Sequence, residues 1–125
     1  MNMYQDVVEF QKAFDQRVGE KPELPDAQER LLRMDLLQEE VEEYFEAEQN
    51  NDIVGVADAL ADIIYIACGT AVSYGIPLDK IFEEVHRSNM SKLVEGKVVR
   101  REDGKILKPE GWTGPDVKGI LGVKS

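Results

Sequence analysis

Apolar residues recur at the spacing of an α-helix through the first ninety positions of the chain. Val7, Phe10 and Phe14 lie on one side of such a helix, and this pattern predicts a short amphipathic helix over 3–18. The segment 19–25 contains glycine and two prolines, so we expect a connector there.

Three further helices are expected before residue 93. Asp26 is a suitable N-cap because Glu29 follows three residues later, and the helix that it starts extends to about Asn50. A third helix is predicted over 52–74, where it ends at a glycine, and a fourth over 77–90.

The pattern changes beyond Leu93. The segments 97–100 and 105–107 are rich in β-branched and aliphatic residues, and Asp103-Gly104 between them favours a tight turn. We therefore predict a small β-hairpin, followed by an irregular tail over 111–125.

A chain of 125 residues is long enough for one hydrophobic core. We expect a single domain over 1–125, with a helical core over about 3–93 and a tail over 94–125. The predicted fold class is all-α, an antiparallel four-helix bundle-like core with a small C-terminal β-hairpin and irregular tail.

The formal charge of −10 disfavours binding to nucleic acid or to anionic membranes, both of which need basic surfaces. One cysteine, Cys68, excludes an internal disulfide and suits a reducing compartment. The segment 1–10 mixes charged and apolar residues, unlike a signal peptide. The longest uncharged stretch, 63–78, has 16 residues, fewer than the roughly 20 that span a bilayer. A soluble cytoplasmic protein is expected.

One glutamate of the second helix lies on its apolar side. With Leu36 at 0° and about 100° per residue, Glu40 falls near ~40°, inside the apolar face, and Glu39 and Glu43 lie on its border. A solvated acidic face accounts for the rest of the run, Glu42, Glu46 and Glu48. It does not account for Glu40, because a carboxylate on a core-facing surface is costly without a partner.

Asp58 and Asp62 lie one turn apart in the apolar third helix. A helix so apolar should be buried on most sides, by its own chain or by a second copy. In the alternative interpretation, the narrow polar stripe that holds the two aspartates faces water and keeps the helix soluble.

The two acidic sets are expected to face each other. The short connection near Asn51 makes the second and third helices antiparallel, and Glu40 and Glu43 precede it by about as many residues as Asp58 and Asp62 follow it. Carboxylates gathered at one level need a cation, and hard oxygen ligands suit Mg²⁺ or Mn²⁺. A di-iron site would need Glu-x-x-His pairs, and the chain has one histidine.

The segment Glu39–Glu43 is an E-E-x-x-E motif, and Ala57–Asp62 follows it with two aspartates. This arrangement resembles the all-α nucleoside triphosphate pyrophosphohydrolase superfamily of MazG-like proteins, dimeric dUTPases, dCTP pyrophosphatases and phosphoribosyl-ATP pyrophosphohydrolases. The resemblance covers about 4–93, and 85–93 is typical of a MazG-like subgroup. One position departs from the family signature, because Ala59 stands where the family has a glutamate. Asp58, one residue earlier, is the candidate to take over this role, since positions i−3 and i−4 share a side of the helix.

The resemblance implies Mg²⁺-dependent hydrolysis of a nucleoside triphosphate to the monophosphate and pyrophosphate, with Mn²⁺ as an alternative metal. Glu40 would orient or deprotonate the attacking water, and Glu39 is the second catalytic candidate. The implied metal ligands are Glu39, Glu40, Glu43, Asp58 and Asp62.

Phosphate contacts are expected from Arg87, Asn89 and Lys92, with Lys108 as a further candidate. For Arg87 and Lys92, solvation at the surface is the alternative. The resemblance also implies a homodimer or homotetramer.

Residues for base recognition are less well marked. Phe10, Phe14 and Trp112 could stack on a base, with Gln11 reading its edge, but the two phenylalanines suit a core and Trp112 suits an anchor for the tail. His86 is more typical of a structural residue than of a base. Two other functions remain open: a non-catalytic metal- or nucleotide-binding regulator, and a helical interaction module.

Overall fold

The computed structural model describes residues 2–123, and these form an all-α protein, as predicted. Within them, β-pairing is limited to two isolated antiparallel bridges. The helices are α1 (Met3–Ala13), α2 (Ala27–Gln49), α3 (Ile53–Tyr74), α4 (Leu78–Met90) and α5 (Val117–Leu121).

Side-chain caps fix the ends of the two long helices. The carboxylate of Asp26 accepts a hydrogen bond from the backbone N–H of Glu29 at 2.9 Å, which confirms the predicted N-cap of α2. Asp52 caps α3 in the same way, through the N–H of Gly55 at 3.0 Å. Gly75 ends α3 with a φ of 70°, a left-handed conformation that glycine adopts without steric cost.

The first helix is shorter than predicted. It ends at Ala13 rather than at Val18, because Asp15 has a φ of 54° and turns the chain out of the helical path. The N–H of Gln16 then donates to the carbonyl of Gln11 at 2.8 Å, a bond that closes the turn. Aspartate tolerates the left-handed region better than most residues.

The chain forms two compact units, the first through Leu78 and the second from Asp79 onward. In the first unit, α1 and α2 both pack on α3. Its core is formed by Val7 from α1 and by Cys68 and Val72 from α3. The prediction of a single domain over 1–125 stays a prediction.

Helices α2 and α3 run antiparallel, and the contacts between them show the register. Ala47, near the end of α2, lies beside Gly55, near the start of α3: a Cβ built on Gly55 would be 3.0 Å from that of Ala47. At the opposite end, Arg33 bonds to Ile66 and Thr70. Small residues at the turn therefore let the two backbones approach closely.

A broad apolar face of α3 is uncovered. Ile53 and Val54 are 77% and 74% exposed, and Leu60 and Ile64 are also exposed. By length and composition the helix could cross a membrane, and 17% of its most apolar window is buried, although core helices of soluble proteins pass the same test of composition. The expectation that a second copy covers α3 stays a prediction.

The second unit contains the expected hairpin in a reduced form. Arg100 and Ile106 form one antiparallel bridge, and the N–H of Leu107 donates to the carbonyl of Val99 at 2.8 Å. The turn is closed by the N–H of Gly104, which donates to Arg101 at 2.9 Å.

The tail is not wholly irregular, contrary to the prediction for 111–125. Helix α5 forms within it because the carboxylate of Asp116 caps the N–H of Gly119 at 3.0 Å, and Gly122 then ends the helix in a left-handed conformation. A helix of five residues is too short for a periodic signal in the sequence. Residues 124 and 125 lie outside the described residues.

Candidate metal centre

Three carboxylates from α2 and α3 converge. Glu40 and Glu43 lie one turn apart on α2, Asp62 lies on α3, and each contributes one oxygen that is within 4.8 Å of the other two. We call these three residues the carboxylate trio. The antiparallel register places them at one level, as the sequence predicts.

Glu40 has the most perturbed environment of the trio. Its pKa is raised from 4.5 to about 7, first by a carboxyl–carboxylate hydrogen bond with Glu43 that needs a shared proton, then by desolvation and by the negative charges of Glu43, Asp62 and Asp58. Its Oε2 atom is buried and has no hydrogen-bond partner among residues 2–123. A divalent cation would satisfy this oxygen and neutralise the clustered charge, so the residues fit a metal.

The other two predicted ligands are placed differently. Asp58 is exposed and acts on Glu40 only through its charge, and Glu39 is exposed and outside the trio. Asp58 instead lines a cleft of about 270 Å³ near the α2–α3 turn. The residues around this cleft are Glu43, Glu46, Ala47, Asn50, Asp52, Gly55, Asp58 and Ala59.

The raised pKa of Glu40 predicts how the metal-free protein responds to pH. A folded-state pKa of about 7, above the ordinary 4.5, means that the folded protein holds this proton more tightly than the unfolded chain. Its contribution to stability is complete below pH 4.5 and is lost as the pH rises through 7. We expect the free energy of unfolding, measured with urea in EDTA, to fall between pH 5 and pH 8 and to recover at pH 8 with Mg²⁺.

Glu40→Gln is the control for this dependence, because it removes the titrating group and keeps the shape. The fall between pH 5 and pH 8 should be smaller in this variant. An equal fall in both proteins would assign the dependence to other groups.

Arg87 is held within the second unit. Its guanidinium forms two hydrogen bonds with the carboxylate of Glu84, at 2.6 and 2.8 Å. This contact, and then the N–H of Asp116 at 2.7 Å, lowers the pKa of Glu84 to about 2. A phosphate ligand would have to compete with Glu84 for Arg87.

Trp112 anchors the tail to α4, as the sequence suggests. Its Nε1–H donates to the carbonyl of Ser88 at 2.9 Å and to Oγ of Ser91 at 2.8 Å. The ammonium groups of Lys92 and Lys108 lie 5.3 and 5.0 Å from the centre of its ring, within cation–π range. Two of the predicted phosphate ligands therefore meet at one indole.

Asn89 and His86 are exposed on α4. No contact of either side chain assigns it a role, and the prediction for Asn89 stays a prediction.

Gln11 is a structural residue, so it does not read a base edge as considered above. It is 1% exposed, and its Nε2 donates to the carbonyl of Arg17 at 2.7 Å and to Oγ of Ser73 at 3.2 Å. Phe14 is 65% exposed and stacks on Phe10 with ring centres 4.5 Å apart, so it does not lie in the core.

Arg33 is a buried polar residue that sequence reasoning missed. It is 7% exposed, and it donates from Nε to Oγ1 of Thr70 and from Nη2 to the carbonyl of Ile66, both at 3.1 Å. Burial lowers the pKa of this guanidinium, although it stays charged at neutral pH. Gly69 leaves room for it, since a Cβ there would collide with Nη2. The helical angle of Arg33, near ~60°, lies in the same apolar face as Glu40 and could have identified it.

Arg33→Ala should lower the free energy of unfolding by about 2–4 kcal/mol, because it removes two hydrogen bonds from a charged donor and leaves a cavity between α2 and α3. Denaturant titration measures the change. Arg30→Ala, an exposed position on the same helix, is the matched control and should change stability by less than about 0.5 kcal/mol. Equal effects at the two positions would contradict a structural role for Arg33.

Comparison with known proteins agrees with this arrangement. The family model for phosphoribosyl-ATP pyrophosphohydrolase matches residues 7–89, about two thirds of the chain, and this range includes the carboxylate trio. The chain is also 42% identical over 48 residues to uncharacterized protein L479 of Acanthamoeba polyphaga mimivirus. That match covers 38% of this chain and 19% of the viral protein, so the chain spans a minor part of the length of this relative.

Proposed function

Because the chain belongs to the phosphoribosyl-ATP pyrophosphohydrolase family, within the MazG-like all-α superfamily, we propose that it is a Mg²⁺-dependent nucleoside triphosphate pyrophosphohydrolase. Water would attack the α-phosphorus and break its bond to the bridging oxygen, so that the products are a nucleoside monophosphate and pyrophosphate. The observation that carries this proposal is the carboxylate trio, in which Oε2 of Glu40 is buried and has no hydrogen-bond partner among residues 2–123.

Glu40, Glu43 and Asp62 would hold the cation, with Asp58 at the edge of the site and Glu39 as a further candidate. Mg²⁺, or Mn²⁺ in its place, supplies neutralisation of the triphosphate charge and a lower pKa for bound water. A cation at the trio also lets a protein with a formal charge of −10 accept a polyanionic substrate.

Glu40 is the first candidate to orient the attacking water and take its proton. No group among residues 2–123 hydrogen-bonds to its Oε2, so this oxygen would bind the cation while the carboxylate orients a water molecule beside it. Glu39 is the second catalytic candidate, although it is exposed and lies outside the trio.

In the second unit we assign phosphate binding to Asn89, Lys92, Arg87 and Lys108. Lys92 and Lys108 have the clearest support, because both ammonium groups lie over Trp112 and neither forms an ion pair with a carboxylate among residues 2–123. A phosphate group attracts these two ammonium groups more strongly than the indole ring does, because the phosphate carries a full negative charge.

Phosphate binding by these lysines should change the fluorescence of Trp112, the single tryptophan of the chain. Titration with a nucleoside triphosphate should give a saturable change in emission, because the two ammonium groups leave the ring. The double variant Lys92→Ala and Lys108→Ala should lose this response, whereas Lys80→Ala, an exposed position on α4, should keep it. A wild-type signal that the nucleotide leaves unchanged would contradict the assignment.

We further propose that the protein is a cytoplasmic homodimer or homotetramer without nucleic-acid or membrane partners. The support is the exposed apolar face of α3, which includes Ile53, Val54, Leu60 and Ile64. A second copy related by a two-fold axis would bury this face on both chains.

The test is incubation with Mg²⁺ or Mn²⁺ and a panel of canonical nucleoside triphosphates, modified nucleoside triphosphates and phosphoribosyl-ATP, with separation of the products. Monophosphate and pyrophosphate in equal amounts support the proposal. Orthophosphate as the product, or no turnover of any substrate, would overturn it. Metal binding without turnover would favour the non-catalytic regulator.

A further inference from the structure

Helix α3 offers the trio one carboxylate rather than two. Ala59 is three residues before Asp62 and therefore lies on the same side of the helix. Ala59 is 3% exposed, so this side faces the protein interior, whereas Asp58, one residue earlier, is exposed. A methyl group thus stands where a second inward carboxylate of α3 would lie.

The trio is suited to a single cation. Three oxygens within 4.8 Å of one another can turn onto one ion, and Mg²⁺ completes its six-fold shell with water. Asp58 and Glu46 line the adjacent cleft, but neither belongs to a convergent set of three ligands among residues 2–123. An exposed carboxylate alone is a weak ligand for an ion that gives up its water reluctantly.

We infer that the nucleotide-free protein binds one divalent cation per chain, at Glu40, Glu43 and Asp62, and that Ala59 is the residue that excludes a second. This inference rests on the metal-binding part of the proposed function and not on turnover. It assigns Asp58 and Glu46, two of the exposed acidic residues around the cleft, to no tight site in the absence of nucleotide.

The cleft that Ala59 lines has room for the side chain of a glutamate at position 59. Its volume is about 270 Å³, and Glu43, Glu46 and Asp58 lie around it. Because Ala59 lines this cleft, a glutamate at position 59 would add a further carboxylate to its acidic residues. Two cations could then be held side by side, as in two-metal sites.

The experiment is a titration with Mn²⁺ in the absence of nucleotide, followed by calorimetry and by the electron paramagnetic resonance signal of free Mn²⁺. We expect one Mn²⁺ per chain for the wild type and for Ala59→Gln, which adds the same bulk without charge. Ala59→Glu should bind two. Glu40→Gln should lose at least tenfold in affinity, and Asp58→Asn should keep one ion with a smaller loss of affinity, because Asp58 acts on the trio only through its charge.

Two ions of similar affinity in the wild type would overturn the inference, and so would a single ion in a folded Ala59→Glu. Loss of the ion in Asp58→Asn would also overturn it, and this arm remains decisive if Ala59→Glu does not fold. The experiment separates this inference from the proposed function. A protein that binds one Mn²⁺ and hydrolyses nothing supports the inference and contradicts the proposed function. An active enzyme that binds two Mn²⁺ in the absence of nucleotide contradicts the inference.

Discussion

Glu40→Gln is expected to lower kcat of the metal-dependent hydrolysis by roughly 10²–10⁴-fold. The substitution keeps the size of the side chain but removes a metal ligand and the carboxylate that would take the proton of the attacking water. The Oε2 atom of Glu40 is a buried oxygen without a hydrogen-bond partner among residues 2–123. Steady-state release of pyrophosphate measures the effect, with circular dichroism to show that the variant is folded.

Two variants on the same helix are the controls. Glu42→Gln changes an exposed carboxylate that accepts a hydrogen bond only from Gln38, and it should keep activity within about twofold of wild type. Glu39→Gln tests the second catalytic candidate. If Glu39→Gln abolishes turnover and Glu40→Gln does not, the roles that we assign to these two residues are reversed.

Replacement of Leu60 and Ile64 by lysine is expected to convert the proposed oligomer into a monomer. Both side chains are exposed on α3 and would be buried by a second copy. Burial of each aliphatic side chain stabilises the interface by about 1.5–3 kcal/mol. In a dimer with two-fold symmetry, each of these residues is buried on both chains. Sedimentation equilibrium or light scattering should show the mass of one chain for the double variant at concentrations where the wild type is a dimer or tetramer.

Leu24→Lys is the matched control, because Leu24 is exposed in the connector before α2 and lies outside this face. It should leave the oligomeric mass unchanged. A wild type that is monomeric at all concentrations would refute the proposed interface. Binding of the wild type to neutral lipid vesicles would instead assign the apolar face of α3 to a membrane.

Local signals were sufficient for the long helices and for the level at which the carboxylate trio lies. Asp26 and Gly75 are residues whose own chemistry starts or stops a helix: Asp26 begins α2 and Gly75 ends α3, both where predicted. The position of Glu40 on the apolar side of α2 was predicted from its helical angle alone, because periodicity shows which residues share a side of a helix. The antiparallel register of α2 and α3 followed from the short connection between them.

Other features depend on contacts that are distant in sequence. The side chain of Gln11 donates a hydrogen bond to Ser73, which is 62 residues away in the sequence, so its role depends on how α1 packs on α3. Arg33 is tolerated in the interior because Thr70 and the carbonyl of Ile66 accept its hydrogen bonds. No pattern around either residue predicts such a partner.

The sequence by itself therefore determined the four long helices, apart from the end of α1, the antiparallel pairing of α2 with α3, and the acidic residues that could meet. Tertiary structure alone decided which acids do meet: Glu40, Glu43 and Asp62 converge, whereas Glu39 and Asp58 remain exposed. The physical reason is that a helical angle gives the direction of a side chain to within a face. Whether oxygens come within 4.8 Å depends on how closely two helices approach, and here that is set by small residues such as Ala47 and Gly55 at their contact.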